Sequence, residues 1–146
     1  MALVEKSVLL TFSAEQMFVL VDDVAAYPQF LPWCGGASVA VLDENRIQAT
    51  VQINYHAVKQ SFTTENDRLP FQRIDMKLVK GPFKQLQGSW HFLALTPTAC
   101  KIEFRLNYEF SSKLLEKVVG PVFHYIASTF VEAFIKRAEV VYANNK

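Results

Sequence analysis

The chain has 146 residues, a net charge of +1, 51% hydrophobic and 20% charged residues, and twelve phenylalanines. That length builds one domain, 1–146, with a sizeable core, and is too short for two ordinary ones. The near-neutral balance excludes a global electrostatic footprint for DNA or an anionic membrane, leaving only local patches.

Val4 to Phe12 reads as a first strand. Ser13-Ala14-Glu15-Gln16 matches a capping box, in which a Ser hydroxyl and a Gln side chain satisfy free amides at a helix start. Met17, Phe18, Leu20, Val21 and Val24 give that helix an apolar stripe, and Tyr27-Pro28 is expected to break it, because the residue before proline avoids helical geometry. Gln29 to Gly36 follows as a turn-rich segment. Ala37 to Leu42 is a predicted strand, and Asp43-Glu44-Asn45 a turn. Ile47, Ala49, Val51, Ile53 and Tyr55 then alternate with polar residues, as in a strand with one buried and one wet face. Gln60 to Asn66 reads as a shorter strand carrying Phe62. Three more alternating runs follow, through Ile74, Met76 and Leu78; through Leu86, Gly88, Trp90 and Phe92; and from Cys100 to Phe110. One-sided strands with short turns imply an antiparallel meander.

Leu114 to Tyr142 is helical. Lys113, Lys117, His124, Ser128, Glu132, Lys136 and Glu139 form one polar stripe, and Val118, Val119, Val122, Phe123, Ile126, Phe130 and Phe134 belong to a wide apolar arc. An arc that wide predicts a helix gripped by the sheet, kinked or split at Gly120-Pro121. The expected fold is therefore α+β: a curved antiparallel sheet of about seven strands around a long C-terminal helix, with one or two short helices after the first strand. No apolar run is read as approaching the roughly eighteen residues of a membrane span. The first six residues reach Glu5 too soon for a signal peptide. Both points lead to a cytoplasmic expectation, with a peripheral position at the inner membrane as its variant.

Catalytic chemistry finds little support. His56, His91 and His124 are dispersed and fall on polar faces, and Cys34 and Cys100 have no metal or disulfide spacing. Cys34 reads as a packed apolar residue rather than a nucleophile. No inward His, Asp or Glu emerges from the strand patterns, so no catalytic or metal-binding residue is assigned. The inward aromatic residues instead suggest a pocket that is apolar with a few polar anchors, which Gly88 would widen. In Lys80-Gly81-Pro82-Phe83-Lys84, an exposed Phe83 among lysines suits a membrane surface or a polyanion such as ribosomal RNA.

Four dispersed motifs then become familiar: Tyr27-Pro28-x-Phe30-Leu31-Pro32-Trp33-Cys34, Ser61-Phe62-Thr63-Thr64-x-Asn66, Gly81-Pro82-Phe83-x-x-Leu86-x-Gly88-x-Trp90-x-Phe92, and Gly120-Pro121-Val122-Phe123 with Phe134-x-x-Arg137-Ala138. Over nearly the whole chain they resemble the coenzyme Q-binding branch of the START-like, polyketide cyclase/dehydrase superfamily. The resemblance implies a helix-grip fold and non-enzymatic binding of ubiquinone or a related isoprenoid lipid in support of respiration, with no other cofactor. In that reading Ile53, Tyr55, Phe62, Met76, Trp90, Phe92, Phe104, Leu106 and Tyr108 form one cavity wall. Val122, Phe123, Ile126 and Phe130 form the other, and Phe30, Pro32, Trp33 and Phe83 the mouth. A hydroxyl of Tyr55 or Tyr108 would meet a quinone carbonyl. The branch also includes bacterial toxins of ribosome association. The alternative expectation is thus a regulator that binds the large ribosomal subunit and blocks subunit joining, through Lys77, Lys80 and Lys84.

Overall fold

The computed structural model describes residues 2–143. Strands β1 (Ala2–Leu10), β2 (Cys34–Val41), β3 (Arg46–Tyr55), β4 (Val58–Leu69), β5 (Arg73–Lys80), β6 (Phe83–Thr96) and β7 (Ala99–Phe110) form one curved antiparallel sheet, ordered β1-β7-β6-β5-β4-β3-β2. Helix α1 (Ala14–Asp22) and a 3₁₀ helix (Val24–Gln29) connect β1 to β2, and α2 (Lys113–Val141) follows β7. The strands from β2 to β7 are a plain meander, and β1 adds itself beside β7. The alternation seen in the sequence is the alternation of the sheet. Cys100, Ile102, Phe104, Leu106, Tyr108 and Phe110 are all buried on β7, while the residues between them face outward.

The capping box forms as expected: Gln16 N–H donates to Ser13 Oγ at 3.0 Å, and Ser13 N–H donates to Gln16 Oε1 at 2.9 Å. Four sequence expectations need correction. First, α1 stops at Asp22, before Tyr27-Pro28, and Val24 opens the 3₁₀ helix that contains Pro28. The turn at Asp23 swings Val24 and Tyr27 into the core, where their burial outweighs continuing the helix. Second, β4 is longer than Gln60 to Asn66, because its hairpin with β3 is paired from Arg46↔Asp67 to Tyr55↔Val58. Third, α2 runs unbroken through Gly120-Pro121. Pro121 is exposed, so water can reach the carbonyl whose amide partner it removes.

Fourth, the sheet holds only one side of α2. Val119, Phe123, Ile126, Ala127, Val131, Phe134 and Ala138 are buried, whereas Leu114, Val118 and Tyr125 are 71%, 56% and 50% exposed. By length and composition α2 is also apolar enough to cross a membrane, its most apolar window reaching a mean hydropathy of 1.5 with a third of that window buried. The inward residues of that window are occupied by the sheet. Finally, Arg68 Nη1 donates to both Asp22 carboxylate oxygens at 3.0 and 2.8 Å, tying the end of α1 to β4.

Candidate functional site: an aromatic cavity and its outer groove

Between the sheet and α2 lies a cavity of about 70 Å³. Of the residues expected on its walls, Phe62, Met76, Phe104, Leu106, Phe123, Ile126 and Phe130 line it, as does Trp33 from the expected mouth. The others are placed elsewhere. Trp90 and Phe92 belong to solid packing: the Trp90 ring lies 4.6 Å from Phe104 and 5.5 Å from Phe134, and Phe92 lies 5.5 Å from Phe18 of α1. Ile53 is buried on the side toward the β4 hairpin, and Val122 packs half-buried on the core's edge. Tyr108 turns its hydroxyl toward His124 Nδ1, 3.5 Å away, in a separate hollow beside α2. Tyr55 leaves the interior and stacks on Tyr125. Neither tyrosine hydroxyl therefore serves the cavity.

Phe83 is no part of a mouth. It is buried and packs edge-on against Phe62 and Phe123 and flat against Phe110 at 5.0 Å. A register shift between Phe83 and Gln85 flips strand parity, so that Phe83 shares the inward face with Leu86 and Trp90. Gly88 does not widen the cavity either. A Cβ there would lie 2.8 Å from Met76 Cε and 3.0 Å from Leu106 Cδ1, so those side chains already fill the space. Two residues missing from the expected walls, Thr64 and Asn66, line the cavity and are joined by a 2.7 Å bond from the Thr64 hydroxyl to Asn66 Oδ1. They share the parity of Phe62, and that was the signal available in the sequence. They are the polar pair in an otherwise greasy lining.

Outside the cavity, a groove of about 490 Å³ runs between the loop after the 3₁₀ helix and the last turns of α2. Phe30, Pro32, Trp33, Tyr55, Tyr125, Glu132, Lys136 and Arg137 border it, and Trp33 is the partition between groove and cavity. The Arg137 guanidinium sits 5.1 Å above the Phe30 ring, and its Nη2 donates to Gln29 Oε1 at 3.1 Å. The Tyr55 and Tyr125 rings lie 5.9 Å apart and within 2° of parallel, with the His56 ring 4.1 Å from Tyr55 on its edge. The turn carrying His56 holds two successive non-glycine residues at positive φ, His56 at 47° and Ala57 at 67°. Such conformations cost roughly 1–2 kcal/mol per residue.

The lysines singled out in the sequence all remain exposed, and two of them stand near carboxylates. Lys77 and Lys84 each reach a carboxylate at 3.5 Å, on Glu65 and Glu109. Burial pushes the Cys34 and Cys100 thiols up, away from the thiolate, and Cys34 Sγ donates to the Gly36 carbonyl at 3.3 Å. His56, His91 and His124 are exposed. Among the described residues no group of His, Cys, Asp or Glu could hold a metal.

Burial, and then the charges of Asp22 and Asp23, push the Tyr27 phenol far above its ordinary value of 10.0. Its hydroxyl donates to the Val21 carbonyl. In alkali the unfolded chain releases this proton and the folded one keeps it, so the unfolded state gains. Stability should be level through neutral pH with respect to this group and fall as pH rises past about 10. Urea midpoints against pH test this. Tyr27→Phe should flatten much of that fall while lowering stability at pH 7 by about 1 kcal/mol through the lost hydrogen bond.

A family model described as polyketide cyclase / dehydrase and lipid transport matches residues 10–135. The chain belongs to that family. Within it, the ribosome association toxin RatA of Vibrio cholerae serotype O1 is 48% identical over 139 residues, covering 95% of this chain and 96% of the toxin. The coenzyme Q-binding protein COQ10 homolog B of Xenopus laevis is 28% identical over 145 residues, 97% of this chain and 59% of that protein. Among solved structures, the Zhui aromatase/cyclase from Streptomyces sp. R1128 superposes with a TM-score of 0.81 at 13% identity, over 94% of this chain and 93% of that one. The last similarity bears on the fold alone. These two relatives thus carry the names of a toxin and a binding protein, and a cyclase appears among the fold neighbours.

Proposed function

We propose that this chain regulates ribosome association, binding the large ribosomal subunit and hindering subunit joining. The observation that carries this reading is the 48% identity to a ribosome association toxin over nearly the full length of both chains. The interior adds support by its size. At about 70 Å³ it is smaller than the roughly 150 Å³ apolar cavities that admit benzene, so no quinone ring fits without displacing side chains. Purified protein mixed with separated subunits should reduce the re-formed ribosome peak in a sucrose gradient and migrate with the large subunit. An unchanged gradient with all of the protein at the top would refute the reading.

A second reading, a prenyl lipid such as ubiquinone held in the interior without catalysis, rests on Thr64 and Asn66. Asn66 is buried on the cavity wall, and its Oδ1 accepts from Thr64, which leaves the amide nitrogen to donate to a carbonyl. Each methylene buried contributes about 0.8 kcal/mol, and α2 has to shift outward to admit the ring. Organic extraction followed by mass spectrometry distinguishes the readings, since an empty protein that refuses added quinone leaves only the ribosome.

A further inference from the structure

Four observations converge on the groove beside α2. Tyr125 is 50% exposed and held parallel to Tyr55, so that one flat ring stands at the protein surface with its partner behind it. The turn at His56-Ala57 keeps a strained left-handed backbone and sets the His56 ring against Tyr55. Lys136 and Arg137 border the same groove, and neither forms an ion pair among the described residues. Arg137 is moreover fixed in place by Phe30 and Gln29. The groove's volume, about 490 Å³, lies within the range of ligand sites, unlike the interior cavity.

We infer that this shelf takes an unpaired RNA base. The base stacks on the outer face of Tyr125, and the strand continues along α2, so that a phosphate farther along it lies toward Lys136 and Arg137, about 16 Å up the helix. Single-stranded RNA is recognised in this way, by aromatic faces that accept any base and cations that follow the backbone. The inference rests on the ribosomal reading and moves its contact surface from the lysines around Phe83 to the groove between α2 and the end of β3, at the same end of the sheet. Glu132 is the groove's opposing charge. Its carboxylate would face the same phosphate, and that supplies a variant expected to gain affinity, a result no folding defect can imitate.

The test measures co-sedimentation with large ribosomal subunits, together with binding of a fluorescein-labelled single-stranded RNA ten-mer. Tyr125→Ala should weaken both by roughly tenfold, and Tyr125→Trp should restore them. Glu132→Lys should strengthen both. Lys136→Gln should weaken them and flatten the salt dependence of log K by about 0.7, the share of one single-strand phosphate. Wild-type sedimentation unchanged in Tyr125→Ala and Glu132→Lys overturns the shelf and leaves the ribosomal reading standing. Absence of wild-type sedimentation overturns that reading, and the ten-mer then decides the shelf: Tyr125-dependent binding upholds it and no binding overturns it. Tyr125-dependent capture by phosphatidylglycerol vesicles with no RNA binding would assign the groove to a lipid surface and also overturn the inference.

Discussion

Phe134→Ala is expected to lower stability by about 3–5 kcal/mol and the melting temperature by roughly 10 °C, measured by urea and thermal denaturation. Phe134 has no exposed surface and lies where three elements meet. Its ring is 5.3 Å from Tyr27 and 5.4 Å from Phe30 around the 3₁₀ helix, 5.5 Å from Trp90 on β6, and 5.0 Å from Phe130 one turn earlier on α2. All four contacts are edge-on, the arrangement that aligns ring edges with ring faces. Truncation would leave a void that rigid rings cannot collapse into, which puts the cost toward the upper end of the range. Phe30 would lose its backing as well, and with it the platform under Arg137. Ile135→Ala, one residue away but only half-buried, should cost much less, and equal losses for the two would show that the ring cluster is not the keystone of this end.

Gly81→Ala should be nearly as damaging, by roughly 3 kcal/mol or more, from two sources that add. Gly81 holds φ at +153°, a conformation L residues rarely adopt and that costs on the order of 1–3 kcal/mol. A Cβ there would also stand 2.7 Å from Phe62 Cβ and 3.2 Å from Phe62 Cα, and overpacking of that kind adds about 1–3 kcal/mol. The second contact is with backbone, so it cannot be relieved by a rotamer change. This turn feeds Phe83 into the core: the Pro82 carbonyl accepts from Ser111 N–H at 3.0 Å and from Ser111 Oγ at 3.3 Å, which pins the tip to the end of β7. Gly88→Ala is the contrasting case. Its nearest contacts are the flexible ends of Met76 and Leu106, which can move; the Arg105 carbonyl also lies 3.2 Å away, but Gly88 has no positive φ to strain, so the change should be milder. A Gly81→Ala protein as stable as the wild type would mean that the tip can be rebuilt without disturbing Phe62.

Most of the architecture was legible because its signals are local. Strict alternation from Ile47 to Tyr55 and from Cys100 to Phe110 reports a strand with one dry face whatever the remainder of the chain does. Short turns between such strands leave an antiparallel meander as the simple solution. Ser13 and Gln16 announced the start of α1 through bonds that span three residues. Parity is also enough to place Phe62, Met76, Phe104 and Leu106 on the cavity wall, and Thr64 and Asn66 share that parity although their polarity masks it.

Parity fails where the chain slips. One register shift at Phe83/Gln85 turned a phenylalanine flanked by lysines from a surface residue into a core one. Charge told the same kind of partial story: Lys77 and Lys84 read as free cations until the strands beside them brought Glu65 and Glu109 within 3.5 Å. Conversely, Tyr125 and Lys136 belong to a groove assembled from α2, the loop after the 3₁₀ helix and the end of β3, segments distant along the chain.

By itself, then, the sequence determined the order of elements, the buried face of each strand, the presence of a greasy interior under a long helix, and the family resemblance carried by its dispersed motifs. The tertiary structure alone decided how large that interior is, which aromatic rings fill it, and which stand outside. The reason is physical. The face a side chain takes follows from the backbone period of its own strand, within a few residues. A cavity's volume is what remains after side chains from every surrounding element have been packed, and no local pattern encodes that sum.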